Sequence, residues 1–351
     1  MKPRLPLKTI PTVVLMTTLG IGFAQLTFGQ SNSPTAKVHS PHADNHKSAN
    51  TKTPEKTQFL KIVQGTDGTP FRMQTAITRY RPSQGDLVVD LIGAVHIGEA
   101  EYFSTLNSQF ENYDVVLYEL VAPSGTRIPA GGRKPSNIPN SPLEMVSWLQ
   151  GQAQTTLGLE SQLEKINYQK QNFLHADLSP AQMAEKMAER GDTPLTIGLS
   201  TLSEILRQQN KASQSAARVN ANNRDQSSPE SLLKLIGDPL KMKQTMAKQF
   251  TASGVMESGL GTSLNQLLIT DRNAAVMQIL QKQIAQGKKK VAIFYGAAHM
   301  ADFEKRLVGD FGLSQSQQIW IDAWDLTRAG QTPTTDETTK LLFNLLDGLG
   351  K

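Results

Sequence analysis

The sequence predicts an α/β protein with a central mixed sheet, a duplicated β-α-β core and a large helical insertion between its two halves. Three observations carry this expectation. Leu87–Ile92 (LVVDLI) and Val291–Tyr295 (VAIFY) are nearly continuous apolar runs, a pattern that suits strands buried on both faces. Each run leads into a Gly-x-x-His segment, GAVH at 93–96 and GAAH at 296–299. Sliding the first copy along by 203 positions lays Gly93 on Gly296, His96 on His299 and Glu119 on Asp322 without a gap.

Composition bounds what such a fold can do. The chain has 351 residues, no cysteine and a formal charge of +5. Without cysteine there is no disulfide, no thiolate zinc site and no cysteine nucleophile. Lys2, Arg4 and Lys8 lie in the first 24 residues, which carry no acid, so a chain cut there sits near +2. No basic stripe interleaved with aromatics is present, and nothing in the pattern suggests a nucleic-acid partner.

Residues 1–24 read as a signal peptide: a basic start, the apolar run Ile10–Ala24, and small residues at Gly22 and Ala24 that suit a signal peptidase, with Thr27-Phe28-Gly29 a second candidate. The run is shorter than the roughly 20 residues that span a bilayer, which favours cleavage over an anchor. The expected location is periplasmic or secreted. Residues 25–57 are polar and Pro-, Ser- and Lys-rich, a disordered linker whose His39, His42 and His46 are read as solvated.

The α/β domain is expected over 58–328. Its first half, 58–122, starts with a hairpin over Phe59–Tyr80, punctuated by the GTDGTP turn. The buried strand to Ile92 follows, then a helix over about 99–112 and a second buried strand, Val115–Glu119. The second half, 287–328, repeats the order: strand 291–295, helix about 301–311, strand 318–322. Between them, 141–286 reads as helical, with helices at 142–156, 159–171, 180–190, 196–209, 230–251 and 262–286. Ser141-Pro142 and Ser179-Pro180 are capping-box starts with proline at the first helical position. Gln208–Ser228 is a polar excursion, and 329–351 a tail with a short helix at 339–347. Pro123–Pro142, rich in Pro and Gly, is either a lid following the Glu119 strand or a passive connector.

Outside the linker only His96, His175 and His299 remain. His96 and His299 each stand just past the carboxyl end of a buried strand, the edge at which open α/β sheets bind ligands. Imidazoles and carboxylates converging there are what a divalent ion needs, with His96, His299 and Glu119 as candidate ligands. Glu119 is ligand or general base; Asp322 is the matching acid, a helix cap or a loop partner. Arg272 falls on the apolar stripe of Leu264, Leu268, Val276 and Ile279, so it meets a buried anion or snorkels to solvent. Glu119, Asp322 and a substrate carboxylate are the anions on offer. His175 and Asp177 precede the Ser179 cap and face the site or serve the backbone.

The two Gly-x-x-His segments, Tyr118-Glu119 and Asp271-Arg272-Asn273 together resemble the TraB/PrgY/GumN family, relatives of the Tiki proteases and, more distantly, of erythromycin esterases and haem-binding ChaN-like proteins. The resemblance covers about 59–327, and it matches the helical insertion in layout better than in sequence. It implies a metal and catalytic centre made of the two histidines and the glutamate, supported by the arginine. The Tiki proteins imply manganese or cobalt, and zinc suits the same donors. The expected activity is therefore a metal-dependent hydrolase, peptidase-like, acting on a peptide or small-molecule substrate. The alternative is a non-catalytic metal- or haem-binding periplasmic protein on the same fold.

Overall fold

The computed structural model describes residues 57–123, 125–126, 128–131, 156–193, 196, 238–252 and 265–330. The expected signal peptide, the linker up to residue 56, most of the 142–156 and 196–209 helices, the 208–228 excursion and the tail lie outside them. So does most of the expected lid, from residue 132 on.

The first half starts with β1 (Leu60–Gln64), which turns through Gly68, at a φ of 80° that suits glycine, into the long β2 (Pro70–Arg81). There follow β3 (Val88–Ala94), the short β4 (Ile97–Gly98), α1 (Ala100–Gln109) with a 3-10 extension over Phe110–Asn112, and β5 (Val115–Tyr118). After the gap come β6 (Glu160–Ser161), one turn of α2 (Gln162–Lys165), β7 (Phe173–His175) and α3 (Pro180–Glu189). Ser179 and Gln182 close a reciprocal capping box at the start of α3, as the sequence predicts. Then come α4 (Pro239–Thr251) and a π turn (Gln266–Thr270) running into α5 (Asp271–Ala285). The chain finishes with β8 (Lys290–Gly296), a 3-10 turn (Ala297–His299), α6 (Met300–Gly309) and β9 (Ser314–Asp325).

The sheet is mixed. β3, β8, β5 and β7 are neighbours in that order and all parallel. β2 pairs antiparallel with β3, and β9 antiparallel with β2, so β9 runs in the direction of β3. β9 occupies one edge of β2 from Arg72 to Arg81, and β1 and β3 share the other edge end to end. Every residue of β3 and β5 is buried, the reason their sequences show no polar alternation.

Alternate residues of these strands feed two cores. Ile92, Val116, Ala292 and Phe294 pack with Phe103, Leu106 and Phe110 of α1 and with Ala247 of α4. Val89, Leu91, Leu117, Val291 and Ile293 pack with Val276 and Leu280 of α5 and with Met300, Phe303 and Leu307 of α6. Helices therefore cover both faces of the sheet, the layering that a parallel sheet buried on both sides requires.

β3 and β5 are not neighbours, because β8 lies between them. From β3 the chain crosses one face over α1 to β5; from β8 it crosses the other face over α6 to β9, on the far side of β2. β3 and β8 are adjacent strands from which the chain departs in opposite directions, a topological switch point, where open α/β sheets bind their ligands.

Two expectations change. β9 runs on to Asp325, so Asp322 lies inside the strand rather than at its end. It accepts a hydrogen bond from Gln74 Nε2 at 2.6 Å and is more than half exposed, far from a role matching Glu119. The helix expected over 159–171 is only α2, flanked by β6 and followed by β7. Tyr168 packs on Tyr118 at 5.1 Å between ring centroids and Phe173 on Phe110 at 5.2 Å. Asn172 Nδ2 donates to the carbonyls of Phe110 and Tyr113. Burial of these aromatics outweighs the helical propensity of the intervening Glu, Lys and Gln residues.

Candidate functional site

His299 ends the 3-10 turn that follows β8, and burial there decides its chemistry. Only 4% of it is exposed, and it packs edge-on against Tyr295 with ring centroids 5.1 Å apart. Its Nδ1 lies 2.6 Å from Asn273 Oδ1. Asn273 in turn donates through Nδ2 to the His299 carbonyl at 3.1 Å and to Asp302 Oδ2 at 2.9 Å. Those two acceptors fix which end of the amide is oxygen, so Nδ1 of His299 must carry the proton. Nε2 is left with the lone pair, which accepts from Arg272 Nη1 at 3.5 Å and lies 3.6 Å from Glu119 Oε1. Burial, joined by the neighbouring Arg272 and His96 against the pull of Glu119, pushes the imidazole down to about 3, so it is neutral near pH 7.

Glu119 follows the last residue of β5. Its Oε1 lies 3.6 Å from His299 Nε2 and accepts from Arg272 Nη2 at 2.6 Å. Its Oε2 accepts the backbone N–H of Gly296 at 2.7 Å, which ties the end of β5 to the end of β8. Burial alone raises a carboxylic acid; the Arg272 charge and the Gly296 N–H outweigh it and hold Glu119 well below the usual carboxylate range.

Arg272 comes from the first turn of α5. It is 5% exposed and does meet anions, Glu119 and Asp177, while Asp322 is not among them. Nε and Nη2 grip Asp177 at 2.9 and 2.6 Å, and Nη1 donates to the Leu268 carbonyl of the π turn at 3.2 Å. Burial works against its charge, but the two carboxylates prevail and raise it well above its ordinary value. Nη1 also lies 3.5 Å from His299 Nε2.

The remaining candidates take outer positions. His96 stands exposed between β3 and β4, close enough to Glu119 and His299 to affect the charge of both. Its carbonyl accepts from Gln162 N, which fixes the backbone below the ring. His175 ends β7 and its Nε2 donates to the Leu120 carbonyl at 2.5 Å, pinning the chain as it leaves β5. Asp177, which the sequence left between facing the site and serving the backbone, does both, and Asn273 enters as a partner named there only in the segment that carries the resemblance. Their only signals are position: Asp177 two residues after His175, and Asn273 next to Arg272 in the segment that carries the family resemblance.

Among the described residues, no three His, Asp or Glu side chains stand together as a ready-made ion cage. The sequence suggested three donors; the fold brings two of them together, His299 and Glu119, and leaves His96 at the rim. Among the described residues no helix is long and apolar enough to cross a membrane. Comparison with known protein families, with curated proteins and with solved structures finds no match, so a functional reading rests on this geometry.

Proposed function

We propose that this chain is an exported metal-dependent hydrolase, peptidase-like, of the TraB/PrgY/GumN kind. The observation that carries the reading is the buried pair of His299 and Glu119, Nε2 3.6 Å from Oε1 with Nδ1 held by Asn273, at a topological switch point. The same reading takes the strands ending in Gly-x-x-His as a duplicated half and the helices between as its insertion. In its support, β3 and β8 lie side by side and parallel, with Ala94 opposite Gly296.

The donor set fits a divalent ion, manganese, cobalt or zinc. Ligands bonded at about 2.1 Å to one ion lie roughly 3–3.4 Å apart, a little inside the 3.6 Å between Nε2 and Oε1, and Arg272 has to draw back from both atoms to admit one. The Asn273 hydrogen bond to Nδ1 is the outer partner that ligating histidines use to fix their tautomer. Charge agrees: Asp177 and Glu119 outnumber Arg272, so the buried cluster carries one net negative charge for a cation to offset. His96 at the rim supplies a third donor, and water or substrate the rest.

When bound, such an ion lowers the pKa of water and polarises a scissile carbonyl. The residues of the chain do the remainder. Glu119, held ionised with both oxygens engaged, suits the ligand role better than the general base. Arg272 holds Glu119 Oε1 and places Nη1 3.5 Å from His299 Nε2, a fixed positive charge that would stabilise negative charge developing on a carbonyl attacked beside this pair.

The test is elemental analysis and melting of the purified protein with added Mn2+, Co2+ and Zn2+, beside His96→Ala and His299→Ala, followed by a peptide and ester hydrolysis screen. Near-stoichiometric ion lost in both variants, with hydrolysis lost alongside, is the expected result. Ion binding without turnover, or a Soret band on haem titration, favours the non-catalytic binding protein. Full metal content and full activity in both variants sinks the proposal.

A further inference from the structure

We propose that the outer edge of β9 is an interface at which a second copy of this chain adds its own β9 antiparallel, on a twofold axis through Ile319. The inference is independent of the ion and of the hydrolase reading. β9 pairs with β2 along one edge. At its carboxyl end the other edge is closed: Ala323 O accepts from the Glu99 N–H at 2.9 Å, and the Asp325 N–H donates to Glu99 Oε1 at 2.9 Å. Upstream of Asp322 no described residue pairs with that edge, and Ser314–Gln317, Ile319 and Asp322 are exposed.

The direction of the backbone groups selects the pairing. Ala76 sits opposite Trp320, yet its N–H turns away from β9 to the Phe59 carbonyl just before β1. In an antiparallel pair, opposite residues either exchange both bonds or both turn away. Trp320, and with it Gln318 two residues earlier, therefore point N–H and C=O outward. Among the described residues nothing bonds those groups. Two copies pairing about Ile319 set Gln318 of each against Trp320 of the other, and each such pair exchanges both N–H···O bonds. Ile319 then meets its own copy in the close position between them, with Cα atoms about 4.5 Å apart. It is 39% exposed, a large apolar side chain that the single chain leaves in water.

Charge favours the same occupant. Ser314–Ile321 carries no charged residue and no proline, the features by which edge strands usually turn a second strand away. In this register Asp322 falls opposite Ser316, so no like charges meet. The ladder to β2 is regular from Gln317 to Asp322 and shifts on either side, so the added pairing is short and the dimer a weak one. β9 runs in the direction of β3, and the axis reverses both in the second copy. The two sites thus open at opposite ends of one continuous sheet, and neither takes a residue from the other copy.

The experiment is sedimentation equilibrium of the full chain over a range of concentrations, on the wild type, Ile319→Lys, Ile319→Glu and an equal mixture of the two variants. The wild type is expected to move from one chain mass to two as concentration rises. Each variant alone sets like charges face to face on the axis and is expected to associate at least about tenfold more weakly. The mixture sets Lys against Glu and is expected to regain the two-chain species, a recovery that misfolding of either variant does not produce. A wild type that stays at one mass throughout overturns the proposal. So does a dimer that persists in both variants, because its interface then lies elsewhere. Variants that are monomeric alone and remain so when mixed overturn the twofold at Ile319 and leave the edge to a strand of another protein.

Discussion

Asn273 decides which nitrogen of His299 is available, since its Oδ1 at 2.6 Å from Nδ1 leaves Nε2 as the free base. Replacing Asn273 with leucine removes both the tautomer lock and the bonds to His299 O and Asp302. The expected outcome is a loss of about 10–100-fold in Mn2+ affinity, read by calorimetry, with Asn273→Asp retaining more because it keeps an acceptor at Nδ1. Equal affinity in Asn273→Leu would show that the tautomer is set by something else. Arg272 has a different signature. Truncating it to alanine leaves Glu119 and Asp177 buried as uncompensated like charges. A destabilisation of ~3–5 kcal/mol is expected from urea unfolding. Arg272→Lys should recover only part of it, because an ammonium lacks the flat fork that grips Asp177 through two nitrogens.

At the scale of elements, the two Gly-x-x-His segments differ in how far they need their glycines. A side chain on Gly296 would put its Cβ 3.3 Å from Glu119 Oε2, the atom its own N–H binds. On Gly93 the nearest atoms lie at 3.5 Å or more, ordinary contact. Gly296→Ala should therefore weaken ion binding by roughly 2–10-fold, the worth of one strained hydrogen bond, while Gly93→Ala leaves it unchanged. Equal effects of the two substitutions would mean that the motif acts symmetrically. The strands behind these segments were legible because burial on both faces leaves an apolar run, and α3 because its capping box is local. β7 was not. Three residues, Phe173–His175, form a strand only because β5 offers them an edge and Phe110 a partner for Phe173. Nothing within the segment distinguishes it from the end of a helix. The same blindness left Asp177 between facing the site and serving the backbone, because its partner is an arginine 95 positions away.

For the whole molecule, the sequence carries the layers and the edge at which a site forms, but not the order of strands. That order depends on β8, nearly 200 residues downstream of β3, inserting beside it. The repeat at 203 positions marks matching strand ends, yet it says nothing of which way each chain turns next, and so it misleads at Asp322. What the assembled fold adds is a buried cluster whose charge states differ from those of the unfolded chain, and that difference makes stability depend on pH. The unfolded imidazole of His299 takes up a proton near its ordinary value of about 6.5, the folded one only near 3. Between those values the unfolded state binds more protons, so stability falls as the pH drops. Glu119 acts in the same direction at lower pH: its folded value is depressed, so its contribution is full above the unfolded value of about 4.3 and lost as the pH falls further. In chelator-treated buffer, urea unfolding between pH 7 and pH 4 should show His299 contributing up to about 1.4 kcal/mol per pH unit below pH 6. A His299→Asn variant, with no group to protonate, should show a shallower decline over the same range. If the two proteins lose stability in parallel, His299 is not the neutral, buried imidazole on which the metal reading depends.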